Sequence, residues 1–224
     1  MLAERLTNIK KKLIDYAVLV EDMIDKALDG LLEREKESLV EVIEKDEVRS
    51  NKFELELDEM CIICIAQFEP KARDLRTILM VMKINNDLER IADHAVNIAE
   101  SGLFLIERPP VKPLMDIPRM AQIAVRMLKD SISAFINEDA ELAYNVSIRD
   151  NDVDALRDQI IRELVTFMSS APATIERAFQ LMRISNNLER ISDLSTNISE
   201  DIIFMVQGKV IKHHALNDSK DIKE

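Results

Sequence analysis

Met82-Lys-Ile-Asn-Asn-Asp-Leu-Glu-Arg-Ile-Ala-Asp-His-Ala-Val-Asn-Ile-Ala-Glu100 recurs one hundred residues later, without a gap, as Met182-Arg-Ile-Ser-Asn-Asn-Leu-Glu-Arg-Ile-Ser-Asp-Leu-Ser-Thr-Asn-Ile-Ser-Glu200. Eleven of the nineteen positions are identical. A repeat of this length makes the chain two copies of one unit, so the fold of one half is the fold of the other. The stretch is helical in its period. Val81, Ile84, Leu88, Ile91, Ala95, Ile98, Gly102 and Leu105 step by three and four, and Leu181, Ile184, Leu188, Ile191, Ser195, Ile198, Ile202 and Met205 repeat the stepping. Sustained over several heptads, such a seam belongs to long helices crossing at shallow angles.

The same period extends outward. Leu6, Ile9, Leu13, Tyr16, Val20, Met23 and Ala27 form a seam near the start of the chain. Helices are expected at about 3–32, 36–68, 71–107, 116–137, 139–169 and 172–207, with the second losing phase near Lys45 to Glu47. Breakers separate them. Gly30 follows the first pattern, and Pro70 and Pro172 precede the third and sixth. Gly102, Pro109, Pro110, Pro113 and Pro118 crowd the midpoint, where missing donors and fixed φ forbid a continuous helix. The chain therefore reads as all-α, with two tandem, pseudo-symmetric three-helix bundles of up-down helices. The first covers 1–108 and the second 116–208, joined by a Pro-rich linker at 109–115 and followed by a polar tail at 209–224.

Composition excludes the alternatives. Three glycines and six prolines in 224 residues cannot supply the turns of a sandwich, a barrel or an α/β domain. A net charge of −12 repels nucleic acid and the anionic inner membrane leaflet, and favours cations or a basic protein surface. No apolar run approaches the roughly 20 residues of a membrane span, and no signal peptide is evident. A cytoplasmic protein with no membrane insertion is expected. Two cysteines make no disulfide framework.

The polar residues of the repeat are as informative as its seam. Glu89, Arg90, Asp93, Asn97 and Glu100 recur as Glu189, Arg190, Asp193, Asn197 and Glu200. At about 100° per residue, Glu89, Asp93, Asn97 and Glu100 fall in one stripe opposite the seam. Packing alone gives no reason for a polar face to keep its identity in both copies. Acids at i and i+4 repel by a few tenths of a kcal/mol when exposed, and both copies accept that cost. Glu47 with Asn51, and Asp150 with Asp154, supply a second stripe on the neighbouring helices, continued by Glu54 and Asp58. Facing acidic stripes suit a hard or borderline cation held by carboxylate and amide oxygens. The bland alternative is a hydrated surface balanced by Arg90 and Arg190.

Other candidates carry less. Cys61 and Cys64 lie within a helix among Ile62, Ile63 and Ile65, without further zinc ligands at a suitable spacing, and read as core thiols. His94 is replaced by Leu194 in the second copy; it either touches a metal or is an ordinary histidine. No phosphate-binding glycine loop and no serine paired with a base are present. A non-enzymatic protein is therefore favoured. The alternative is a metal-dependent phosphohydrolase using the same carboxylates.

Leu-Glu-Arg-Ile-Ala-Asp-His-Ala at 88–95 resembles the Leu-Glu-Arg-Ile-Gly-Asp-His-Ala signature of the PhoU family, and Leu188 to Ser195 resembles its second copy. Glu69-Pro70-Lys-Ala-Arg-Asp-Leu-Arg76 is similar to the family's Gln-Pro-Val-Ala-x-Asp-Leu-Arg segment. The resemblance covers residues 3–207. It implies a cytoplasmic regulator of phosphate homeostasis that restrains an ABC-type phosphate transporter, its ATPase being one partner and a phosphate-sensor histidine kinase another; divergent members serve other ion transporters. It also implies metal ions (iron, zinc or another divalent cation) on Glu89 with Asp93 and Glu189 with Asp193. By position this extends to Glu47, Asn51, Asp150 and Asp154, with Asn97, Asn197 and His94 as further candidates. Ala92 and Ser192 stand where the signature has glycine. Exposed methionines near helix ends would suit a homodimer.

Overall fold

The computed structural model describes residues 1–207; the polar tail, with His213 and His214, lies outside the described residues. Among the described residues there are six long helices and no strand. They are α1 (Leu2–Glu33), α2 (36–68), α3 (Arg73–Ile106), α4 (Asp116–Asn137), α5 (Ala140–Ser170) and α6 (Ile175–Gln207). Among the described residues, no helix is long and apolar enough to cross a membrane.

Helix α2 is three pieces in one rod: Lys36–Glu41, a π-helical turn at Val42–Asp46, and Glu47–Phe68. The π turn is the physical form of the lost phase near Lys45. One extra residue per turn re-aims every side chain that follows. It turns Asp46 fully inward, where its carboxylate accepts hydrogen bonds from Lys26 Nζ at 2.9 Å and Arg49 Nη1 at 2.7 Å. Lys26 also pairs with Asp22 and Glu41. The buried line of α2 then continues through Ser50, Leu57, Cys61 and Cys64. Both thiols are free and buried, as core residues should be.

Two glycines expected to act as punctuation do something else. Gly30 and Gly102 are both helical and buried. A Cβ on Gly30 would stand 2.8 Å from Leu39 Cγ, and one on Gly102 would stand 3.1 Å from Leu39 Cδ2. Leu39, fully buried, fills the notch that the two bare backbones leave. The turn after α1 is made instead by Arg34, in left-handed conformation at φ 59°, with Glu35 N–H closing on Gly30 O at 2.9 Å.

Helix α3 packs against α1, α2 and α6, and α6 packs against α3, α4 and α5. The two bundles are thus not merely strung in series. The repeated helices lie against each other, and one apolar core runs through both halves. His94 meets Asn187 while Lys83 meets Asp201, so the two run antiparallel. A pseudo-twofold near Ile91 and Ile191 relates the copies.

Candidate metal-binding stripes

With three helices packed on it, α3 is buried over a broad arc that includes Asn85, Ala92 and Ala99 as well as the seam. The stripe therefore lies at the margin of the buried arc rather than opposite the core. Glu89 is half-buried, Asp93 is exposed, and Asn97 turns back so that Nδ2 donates to Asp93 O at 2.9 Å. Helix α2 supplies the facing wall. Asn85 Nδ2 donates to Glu54 O at 3.0 Å and to Asp58 Oδ1 at 2.9 Å, which pins the two helices together. Burial pushes the Glu89 carboxyl above its ordinary range; Asp93 and Glu54 push it further, and Arg90 opposes them. Below them the buried Tyr16 hydroxyl lies 2.8 Å from Ser50 Oγ. Burial raises that phenol as well, with Glu54, Glu89 and Asp93 adding to the rise. The first half thus gathers Glu54, Glu89 and Asp93 into one field, which Arg90 opposes at Glu89.

Other predicted residues stand elsewhere. Asn51 is exposed, and Glu47 is half-buried. The acid that α2 turns inward at this level is Asp46, because the π turn advances the register, and its oxygens are taken by Lys26 and Arg49. His94 faces α6: its Nδ1 lies 2.8 Å from Asn187 Oδ1, and burial lowers its pKa. By the pseudo-twofold, the counterpart of that pair is Asp87 with Leu194. Burial raises the Asp87 carboxyl to about 6.

The second stripe is arranged differently. Arg157 of α5 donates from Nη1 to Glu189 Oε1 at 2.6 Å and from Nη2 to Asp158 Oδ1 at 2.9 Å, and lies 3.7 Å from Asp154. Arg190 donates to Asp193 at 3.1 Å and lies 3.6 Å from Glu189. Asp150 is buried, Asp154 half-buried and Asn197 exposed. Burial and Asp193 raise the Glu189 carboxyl, against Arg157 and Arg190. Arg157 is the residue that sequence reasoning missed. Its signal was its place three residues after Asp154, on the same helical face.

Among the described residues, no three His, Cys, Asp or Glu side chains converge tightly enough to form a ready-made metal cage. The donor chemistry nevertheless fits a cation unequally in the two halves. Burial and neighbouring carboxylates raise Glu89 in the first half and Glu189 in the second, and a bound cation would offset both; only Glu189 also accepts from a guanidinium of the neighbouring helix, Arg157. In the second, a guanidinium already sits where the cation would sit.

Comparison with known proteins agrees with this architecture. Residues 13–102 and 117–202 each match the PhoU domain. The chain is 38% identical to the phosphate-specific transport system accessory protein PhoU homologue of Aquifex aeolicus, over 97% of this chain and 98% of that protein. It is 34% identical to PhoU homologue 2 of Thermotoga maritima, over 95% and 90%. It superimposes on the crystal structure of PhoU from Pseudomonas aeruginosa with a TM-score of 0.89 at 30% identity, covering 93% of this chain and all of that one. It shares its fold with the phosphate transport system regulatory protein PhoU from Streptococcus pneumoniae, with a TM-score of 0.87 at 24% identity over 95% of this chain and 100% of that one. With both halves matched, and relatives aligned nearly end to end, this chain belongs to the PhoU domain family.

Proposed function

We propose that the chain is a cytoplasmic accessory protein that restrains phosphate uptake. It would dock on the ATPase of an ABC-type phosphate transporter and on the associated sensor histidine kinase. The observation that carries this reading is the nearly full-length similarity to phosphate-specific transport accessory proteins. The test is uptake of labelled phosphate by phosphate-replete cells. Loss of the protein should raise uptake, and the transporter ATPase should be recovered with the tagged chain from the same cells. Unchanged uptake together with no ATPase recovered would end the reading.

Divalent cations on the stripes form the second part of the proposal. Supporting it are the duplication of Glu89 with Asp93 as Glu189 with Asp193, and the raised Glu89 carboxyl beside Glu54 and Asp93. A cation there would cancel local negative charge and change what the face can dock against. Protein purified without chelator should carry metal, and Glu89→Asn with Asp93→Asn should remove the share held by the first half. Helix content should be nearly unchanged, since Asp93 is exposed and Glu89 lies at the margin of the core. Metal-free wild-type protein at physiological supply would exclude the cation.

A further inference from the structure

A groove of 620 Å³ runs between α1 and α4, helices of different halves that pack on each other, and it is lined by none of the stripe residues. Its walls carry opposite charge. Asp25 and Asp29 of α1 stand on one side, one helical turn apart; Arg119 and Arg126 of α4 stand on the other, two turns apart. All four are exposed, and none forms an ion pair among the described residues. Only at one end do the walls meet, where Lys129 reaches Glu21 at 3.6 Å. Between them the apolar surface comes from the exposed Leu32 and the half-buried Ile123, over the buried Leu28 and Val125.

This arrangement selects its occupant by charge. An all-acidic segment would face Asp25 and Asp29, and an all-basic one would face Arg119 and Arg126. Like charges brought together in a groove repel, so both are disfavoured. A segment with acids on one flank and bases on the other meets both walls. The lined part of α4, from Pro118 to Lys129, is about 16 Å long, or three turns of helix. The groove is open along that length, unlike the enclosed cavity that buries a small ligand. A helix laid along the groove repeats a face every one and two turns, so it can set charges opposite both walls. Burial raises the Glu21 and Asp25 carboxyls and Lys129 opposes the rise at both, so Lys129 extends the basic wall at that end.

We infer that the α1–α4 groove is the docking site for an amphipathic helix of a protein partner, one whose apolar stripe is flanked by acidic residues facing Arg119 and Arg126 and basic residues facing Asp25 and Asp29. This rests on the reading of the chain as a protein that works by docking, and names the surface. The probe is a fluorescein-labelled synthetic helix with a leucine stripe, two glutamates a heptad apart on one flank and two lysines one turn apart on the other. Fluorescence anisotropy with the full chain should show saturable binding. Arg119→Glu with Arg126→Glu should weaken it about tenfold, since two exposed ion pairs become repulsive. A second peptide with lysines on both flanks should bind that variant better than it binds wild type. No binding to wild type, equal binding to wild type and variant, or no gain by the second peptide would each overturn the proposal. Both arginines are exposed, and circular dichroism checks that the variant folds. The probe holds no transporter sequence and the variant spares both stripes. A negative result therefore removes the groove, while phosphate uptake in cells lacking the protein still decides the accessory role.

Discussion

Arg157 gives the sharpest test of the difference between the two stripes. Its Nη1 donates to Glu189 Oε1 at 2.6 Å, with the two side chains 27% and 13% exposed. A hydrogen bond to a charged group contributes about 1.5–3 kcal/mol, and this partly wet pair belongs at the low end. A cation entering between Glu189 and Asp193 must displace that bond. Arg157→Ala should therefore tighten Mn²⁺ binding at the second stripe by about ten- to thirty-fold, taking 1.4 kcal/mol per decade. The measurement is calorimetric titration of the full chain in a Glu89→Asn, Asp93→Asn background, which silences the first stripe. The same variant carries a stability signature. Without Arg157 the Glu189 carboxyl rises further, so its folded pKa lies further above the unfolded one. Stability is then lost as pH rises through that interval and is retained below it. The metal-free variant should be weakened at pH 8 and nearly normal at pH 4. Mn²⁺ affinity that is unchanged or reduced by Arg157→Ala would refute the claim that the guanidinium stands in the cation's place.

Three further outcomes follow from the packing. Gly30→Ala gains about 1 kcal/mol in helix propensity but drives a Cβ to 2.8 Å from Leu39 Cγ and 3.2 Å from Glu35 O, an overpacking cost of about 1–3 kcal/mol; urea unfolding should show net destabilisation, and in a Leu39→Ala background, itself weakened by about 2–5 kcal/mol, Gly30→Ala should no longer destabilise. Asp87 has its carboxyl raised to about 6 from 3.8 by burial, so its charged form opposes folding above that pH; Asp87→Asn should stabilise the protein by about 1–2 kcal/mol at pH 8 and have little effect at pH 3, where thermal melts compare the two. Burial pushes the Cys61 thiol up to about 12, so both cysteines should resist a charged thiol reagent in the native protein and react once urea unfolds it; fast native reaction would show that α2 opens.

How far the site could be read in advance differs from residue to residue. Glu89 and Asp93 stand out in the sequence because a duplicated polar face is visible in one dimension. Glu54 could be named only as a continuation of the second stripe, yet it is the α2 acid that acts on Glu89. Glu47 and Asn51 are named from their match to Asp150 and Asp154; the π turn beside them, which leaves Asp46 buried, Glu47 half-buried and Asn51 exposed, has no one-dimensional signal beyond a lost phase. Arg157 was missed because a basic residue within an acidic stripe reads as surface balance until its reach to Glu189 is known.

By itself the sequence determined what is local and periodic. Stepping by three and four shows which side of each helix leaves water, and scarce breakers show how few helices there are. The offset of one hundred shows that one half repeats the other. Only the tertiary structure decided what depends on residues far apart in the chain: that α3 and α6 lie together and merge two cores, that Gly30 and Gly102 are bare to admit Leu39, and that α1 and α4 face each other with opposite charges across a groove. The physical reason is that helical period reports the direction in which a side chain points along its own axis. The helix that meets it there is set by packing across the whole fold, which no single stretch of sequence carries.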